Sequence, residues 1–415
     1  MDEVQILGSF SEAKAIFGEI DPARQLTLIQ ALEQIYNNGG KTVYAVRTAA
    51  KAAKATYKIK DSSDKDLVTL EAKTPGTWGN DIKIKISDAD SPNSKKVELT
   101  YQNTKETYTI SKSGDLEQQV NNQTKVSTLV TATLAKDSSS EALPKNTGEV
   151  AFAGGSDREP AKEYENSLAQ LENELINLVL LAGQDVTNPE MVTALLGHLN
   201  TTATIKRERI GIIGSGTPDD VDTIAGHPLD SDRLILVAPG LQISPQVKLS
   251  GAYTAAAVAG LLASLPVQAS PTNKPLTIPG LAKEFSTSQL EKLVGKRVLA
   301  IEKREGFRVV KGITTATNSA WHQITTRRIV DFAIYGVRSA CDPYIGKLNN
   351  ERVRGAMKAT LDAFLTRMVQ NEALISYELA VTANRVQEIA GEAIVTMTLR
   401  PTFSIDFIKV TMYLG

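Results

Sequence analysis

The chain has 415 residues, of which 42% are hydrophobic and 22% charged, with 46 Lys plus Arg against 47 Asp plus Glu. A net charge of -1 gives no global electrostatic footprint for nucleic acid, and aromatics at 5% leave little for base stacking. The length exceeds one ordinary core, so two or three domains are expected.

Near the start, Asp21 followed by Pro22 predicts a helix beginning, with Leu26, Ile29, Leu32, Ile35 and Tyr36 as its apolar stripe and Gly39-Gly40 as its end. Residues 41–47 then read as a buried strand, the helix-strand rhythm of an α/β layer. From about residue 56 to 155 the character changes to short alternating runs, at 67–72, 82–86, 97–101 and 107–110, separated by Ser, Asn, Asp, Lys and Gly clusters. This is a β-rich domain inserted into the α/β one. The α/β rhythm returns with a long helix predicted over 163–181, continuous apolar strands at 209–213 and 233–238, and helices from Pro218 and near Ala252. Residues 298–302 and 307–310 read as a hairpin turning at Glu305-Gly306.

The last quarter reads as two amphipathic helices and two strands. Residues 327–337 put Ile329, Val330, Ala333, Ile334 and Val337 on one face, with Arg327, Arg328, Asp331 and Arg338 largely on the other. Residues 351–369 repeat the pattern with Val353, Met357, Leu361, Phe364, Leu365 and Met368. A strand follows at 393–399, and a second at 403–414. The second is unusual: Phe403, Ile405 and Phe407 lie on one face, Ile408, Val410, Met412 and Leu414 on the other. Either it is a central strand covered on both faces, or it pairs with a neighbouring molecule. Arg327, Arg328, Arg338, Arg352, Arg354 and Arg367 make the two helices locally basic, which fits a solvated face or a docking surface for an acidic partner.

Enzyme chemistry is hard to assemble from these residues. Gly211, Gly214 and Gly216 follow a strand but have the wrong spacing for a dinucleotide loop, and Asp219 and Asp220 behind them would repel a pyrophosphate. Residues 250–260 resemble the serine-bearing helix of subtilisin-type proteases, with Ala252 or Tyr253 at the nucleophile position. His198, His227 and His322 provide no nucleophile-base pair and no zinc set. The carboxylate pairs Asp219/Asp220, Asp88/Asp90 and Asp230/Asp232 read as solvated turn residues. The lone Cys341 cannot form an internal disulfide, which points to a reducing site of assembly and to a small core residue. No stretch reaches the ~20 apolar residues of a membrane span, and the first ten residues lack the features of a signal peptide.

Several landmarks, in this order and spacing, resemble the contractile tail sheath proteins of bacteriophages, R-type bacteriocins and related injection systems. They are SFSEAKAIFGEID at 9–21, KTVYAVR at 41–47, WGND at 78–81 ahead of IKIKI, and the subtilisin-like echo at 251–260. The C-terminal landmarks are TTRRIVDFAIYGV at 325–337, FLTRMVQNEAL at 364–374 and the run from 382 to 414. The family has an extended N-terminal arm before the first landmark, where this sequence has eight residues, so the family's mesh of exchanged arms is in question at that end.

The resemblance implies a discontinuous α/β core over 1–55 plus 156–320, with a subtilisin-like layout. It implies an outward-facing β-rich insertion at 56–155 and an α+β C-terminal domain at 321–415 ending in a linking strand. It implies a non-enzymatic structural subunit without cofactor or metal. The subunit forms a helical homo-oligomer of stacked rings around a rigid tail tube, bounded by baseplate and tail terminator proteins, with no nucleic acid or membrane insertion. The place is a virion tail or injection particle assembled in the bacterial cytoplasm. On this reading Phe403, Ile405, Phe407, Ile408, Val410 and Met412 link subunits, and Arg327, Arg328, Arg338, Arg352 and Arg354 face the tube. The rival is an α/β nucleotide-binding protein or hydrolase with a β insertion.

Overall fold

The two continuous apolar runs become adjacent, fully buried parallel strands, Ile210–Gly214 and Leu234–Ala238. They sit inside a six-stranded sheet ordered Leu178–Asp185, Ile210–Gly214, Leu234–Ala238, Leu299–Lys303, Phe307–Val309 and Pro275–Leu276. The first four strands are parallel, Phe307–Val309 runs antiparallel to Leu299–Lys303, and Pro275–Leu276 runs antiparallel to Phe307–Val309. This computed structural model describes residues 3–20, 26–48, 52–122, 126–136, 140–156 and 161–413. The chain divides into two compact units, Val46–Glu163 on one hand and Val4–Ala45 with Tyr164–Gly415 on the other.

In the larger unit the Gly251–Ser264 helix packs on the sheet and is buried on almost every side. Its alanines and glycines let it approach very closely. A Cβ added at Gly214 would lie 1.8 Å from the carbonyl carbon of Gly251. One added at Gly260 would lie 2.2 Å from the Ile35 carbonyl oxygen of the Thr27–Asn37 helix. The hairpin expected at Glu305-Gly306 is present, with both residues at positive φ.

Two expectations fail here. The long helix predicted over 163–181 is a helix only over Ala161–Gln170, and Leu178 onward forms the first parallel strand. Leucines at 168, 171, 175 and 178 mimic a helical stripe, but Leu175 is exposed and the run from Leu178 pairs with Ile210 and its neighbours. Residues 41–47 do not enter the main sheet. Only Val43–Ala45 is a strand, and it pairs with Gln5–Leu7 as a separate ribbon. The predicted cap at Asp21 and Pro22 lies outside the described residues.

The smaller unit carries two sheets, one of Thr56–Lys60, Asp66–Ala72 and Val130–Leu134, the other of Thr104–Ile110, Lys95–Tyr101, Lys83–Asp88 and Thr147–Ala151. The alternation at 82–86 works as expected, with Ile84 and Ile86 buried against Val97, Leu99 and Leu116 while Lys83 and Lys85 face water. The neck of the unit is stitched shut. Ala53 bridges Ser156, Thr56 bridges Ala153, and the Asn80 side chain bonds both the N–H and the carbonyl of Gly155 at 2.8 and 2.9 Å. Gly79, in the WGND turn, has no room for a Cβ between Ala55 and Ala72.

The C-terminal part of the larger unit packs two helices, Ile324–Cys341 and Glu351–Gln370, through Ile329, Ala333 and Val337 against Met357, Leu361 and Leu365. A two-stranded antiparallel sheet, Leu374–Thr382 with Ile394–Pro401, covers them with Tyr377, Leu379, Val381, Val395, Met397 and Leu399. The first of these strands and the short helix Arg385–Ala390 between them were not expected from the sequence. The strand expected over 403–414 is not formed within the chain, since residues 403–413 are in no sheet.

Candidate interaction surfaces

The basic residues of the first C-terminal helix turn inward. Arg327 donates to Asp232 at 2.9 Å and Asp331 at 2.7 Å, and its guanidinium lies 4.4 Å from the Trp321 ring centroid. Arg233 grips the same Asp331 with both branches of its fork, at 2.8 and 2.9 Å. Arg338 reaches both carboxylate oxygens of Glu208, at 2.7 and 2.8 Å. Arg328 donates to the carbonyls of Leu265 and Pro266, and burial lowers its pKa to about 10. On the second helix, Arg354 donates to Asn349 and Glu388, while Arg352 is exposed. The helix face read from the sequence as either solvated or a docking surface for an acidic partner is therefore largely a seam that bolts this helix to the α/β sheet. Removing one partner from so enclosed an ion cluster strands the others, which is why such clusters resist change. The four-residue spacing of Arg327 and Asp331 was a legible hint, but nothing in the sequence pointed to Asp232, Arg233 or Glu208.

The tail is the opposite case. Ile405, Ile408, Val410, Met412 and Tyr413 are each at least 77% exposed, and Phe403 and Phe407 are 55% and 66% exposed. Of the two readings of this segment, a central strand in the chain's own sheet is ruled out by these positions. The sheet beside it has only two strands among the described residues, so its outer edges are unpaired.

Most of the residues considered for chemistry have structural roles. Asp219 is not a solvated turn residue. Its carboxylate is buried, accepts from the Ser215 hydroxyl at 2.7 Å and from the Gly240 N–H, and burial raises its pKa. It ties two loops at the carboxyl ends of the central strands. Asp220 caps the Val221–Ala225 helix, Asp88 pairs with Lys95, and Asp230 receives the N–H and hydroxyl of Thr317. His198 is buried and accepts from Arg209 through Nε2 at 3.1 Å, because a guanidinium can only donate. The ring is therefore neutral, and burial first, then Arg209, lowers its pKa to about 4. Arg209 also donates to the carbonyls of Leu171, Glu172 and Glu174. His227 contacts the Lys296 carbonyl. Cys341 is half-buried, and burial raises its thiol pKa. Among the described residues no group of three or more His, Cys, Asp or Glu could hold a metal, and no helix is long and apolar enough to cross a membrane.

Comparison with known families matches three successive segments of the chain. Residues 48–157 match the phage tail sheath protein beta-sandwich domain, 160–315 the phage tail sheath protein central domain, and 316–415 the phage tail sheath C-terminal domain. The chain belongs to the phage tail sheath family. It is a structural subunit of a contractile tail sheath. No curated protein matches it. Among solved structures, the sheath tail protein of Desulfitobacterium hafniense is similar at 17% identity over 97% of this chain and 93% of that one, with a TM-score of 0.72. The sheath tail protein Lin1278 of Listeria innocua is similar at 16% identity over 96% and 92%, with a TM-score of 0.64. The helical sheath of the anti-feeding prophage in its contracted state is similar at 18% identity over 65% and 78%, with a TM-score of 0.51.

Proposed function

We propose that copies of this chain build the sheath head to tail, each adding its tail as a strand to an open sheet edge of a neighbour. The observation that carries this reading is the tail itself: six apolar side chains, Phe403, Ile405, Phe407, Ile408, Val410 and Met412, exposed directly after a sheet of two strands. Backbone hydrogen bonds along an added strand tether neighbours while their bodies rotate, and a head-to-tail contact that does not close makes an open helix. Contraction is then a rigid-body rearrangement from a metastable array to a better-packed one, with no nucleotide and no catalysis required. A gain of about 1–3 kcal/mol per subunit, the usual scale of coupling energies, adds over many subunits to a large driving force.

In the same reading the sleeve surrounds a tail tube and ends on baseplate and terminator proteins, in a virion tail or injection particle put together in the bacterial cytoplasm. The β-rich unit faces outward. The core's likeness to subtilisin-type proteases is one of layout only. The basic C-terminal helices face the tube, where Arg352 is exposed while Arg327, Arg328, Arg338 and Arg354 already hold partners in the chain.

Negative-stain microscopy of the full chain and of a chain ending at Thr402 tests the linkage. Tubes or rings from the first and single particles from the second are expected, and tubes from both would sink the idea. Cosedimentation of Arg352→Glu with tail tubes tests the tube-facing helices, and binding equal to that of the parent chain counts against them.

A further inference from the structure

The tail does not leave the body loosely. Three loops of the larger unit meet it at one point, where Ser404 and Asp406 turn inward between the exposed Phe403 and Ile405. The Gln323 side-chain amide pairs with Ser404 as a neighbouring strand would, accepting from its N–H at 3.0 Å and donating to its carbonyl at 3.1 Å. The same amide donates to the Asp406 carboxylate at 2.9 Å. That carboxylate is 7% exposed and also accepts from the Thr272 hydroxyl at 3.0 Å and the Ser404 hydroxyl at 3.1 Å, with the Lys311 ammonium 3.6 Å away. Thr272 is itself held in place. Its oxygen accepts from the Gly312 N–H and the Ser270 hydroxyl, which leaves its own proton for Asp406. Lys311 then lies 5.1 Å from the ring centroid of Phe407, the first residue beyond the grip.

A carboxylate enclosed to this degree is tolerated only when its oxygens are satisfied, and here hydroxyl, amide and ammonium groups from separate loops do so. One residue later the chain is mostly exposed and apolar. We infer that Gln323, Thr272 and Lys311 clamp Ser404 and Asp406 as the anchor of the tail, so that residues 407–413 are the part a second copy takes up. The clamp positions the linking segment and passes its tension into the α/β body rather than into the two-stranded sheet. This inference rests on the linkage reading above. A linker free at its root would raise the local concentration of the neighbour without fixing where it sits, whereas a fixed root removes that ordering cost.

The test uses the full chain with Thr272→Val and, separately, Gln323→Leu, beside the chain ending at Thr402. Thr272→Val removes the donor to Asp406 and the acceptor for Gly312, and Gln323→Leu removes the three bonds of its amide, so both variants are expected to stay folded but melt below the parent as dissociated chains, and to need at least roughly tenfold more protein to assemble. If both assemble at the parent's concentration while the shortened chain does not, the clamp is wrong and the linkage stands. If the shortened chain assembles normally, both are wrong. Hydrogen exchange on the unaltered dissociated chain covers the case of a variant that does not fold. Protection at Ser404 with none at 408–413 is expected, and equal exchange across the two stretches overturns the clamp.

Discussion

The Gly251–Ser264 helix and the tail at 403–413 are both rich in apolar side chains on more than one face, yet the first is buried over Gly251–Leu262 and the second leaves most of its apolar side chains exposed. The difference lies in the backbone. A helix satisfies its own N–H and carbonyl groups and can be buried wherever small side chains admit it. An extended segment needs an edge to pair with, and within one chain the tail finds only the clamp at Ser404 and Asp406. Hydrophobicity alone therefore says that a segment is to be covered, and backbone pairing decides by whom.

The largest effect expected on this contrast comes from the enclosed side. Gly214→Val places a side chain into the backbone of Gly251, and because backbone cannot give way we expect a loss of about 4 kcal/mol or failure to fold, read from urea unfolding of the dissociated chain. A smaller effect comes from His198, also enclosed. Its folded pKa of about 4 lies below the ordinary 6.5, so on acidification the unfolded chain takes a proton that the folded chain refuses. The stability it contributes is complete above pH 6.5, falls as pH drops towards 4, and is flat below that. Discounted for partial solvation, the span is about 2 kcal/mol. His198→Gln, which can still accept from Arg209, should show a pH slope shallower by that amount over the same window. The smallest effect comes from the exposed side. Ile408→Ser with Met412→Ser should change the unfolding free energy of the dissociated chain by less than about 0.5 kcal/mol. A large loss there would mean that the tail is covered within its own chain, and the contrast would collapse.

Much of this was legible in the sequence. The continuous runs before Gly214 and Ala238, the alternating isoleucines at 82–86 and the two C-terminal helices each follow a period that burial imposes. Leu178 was misread because leucines three and four apart fit a helix as well as a turn followed by a strand. The Leu374–Thr382 strand was missed because its outer face carries Ile375 as well as Glu378 and Thr382, which blurs the alternation. The fates of Arg327, Arg338 and Asp219 were out of reach for another reason. Their partners are Asp232, Glu208 and Gly240, far along the chain, and no local pattern announces a contact made by folding. The exposed tail was legible as an anomaly, but Gln323 and Thr272, which grip it, look like ordinary loop residues.

The stitched neck at Ala53–Ser156 and Asn80–Gly155 has a bearing on how such chains diversify. Where a segment departs and returns through one closed gate, whatever lies beyond can be lengthened, shortened or replaced without retuning the sequence that it interrupts. The two-sheet segment is in that sense a cassette, and a natural place to graft a foreign epitope or label, provided that Gly79, Asn80 and Gly155 are left as they are.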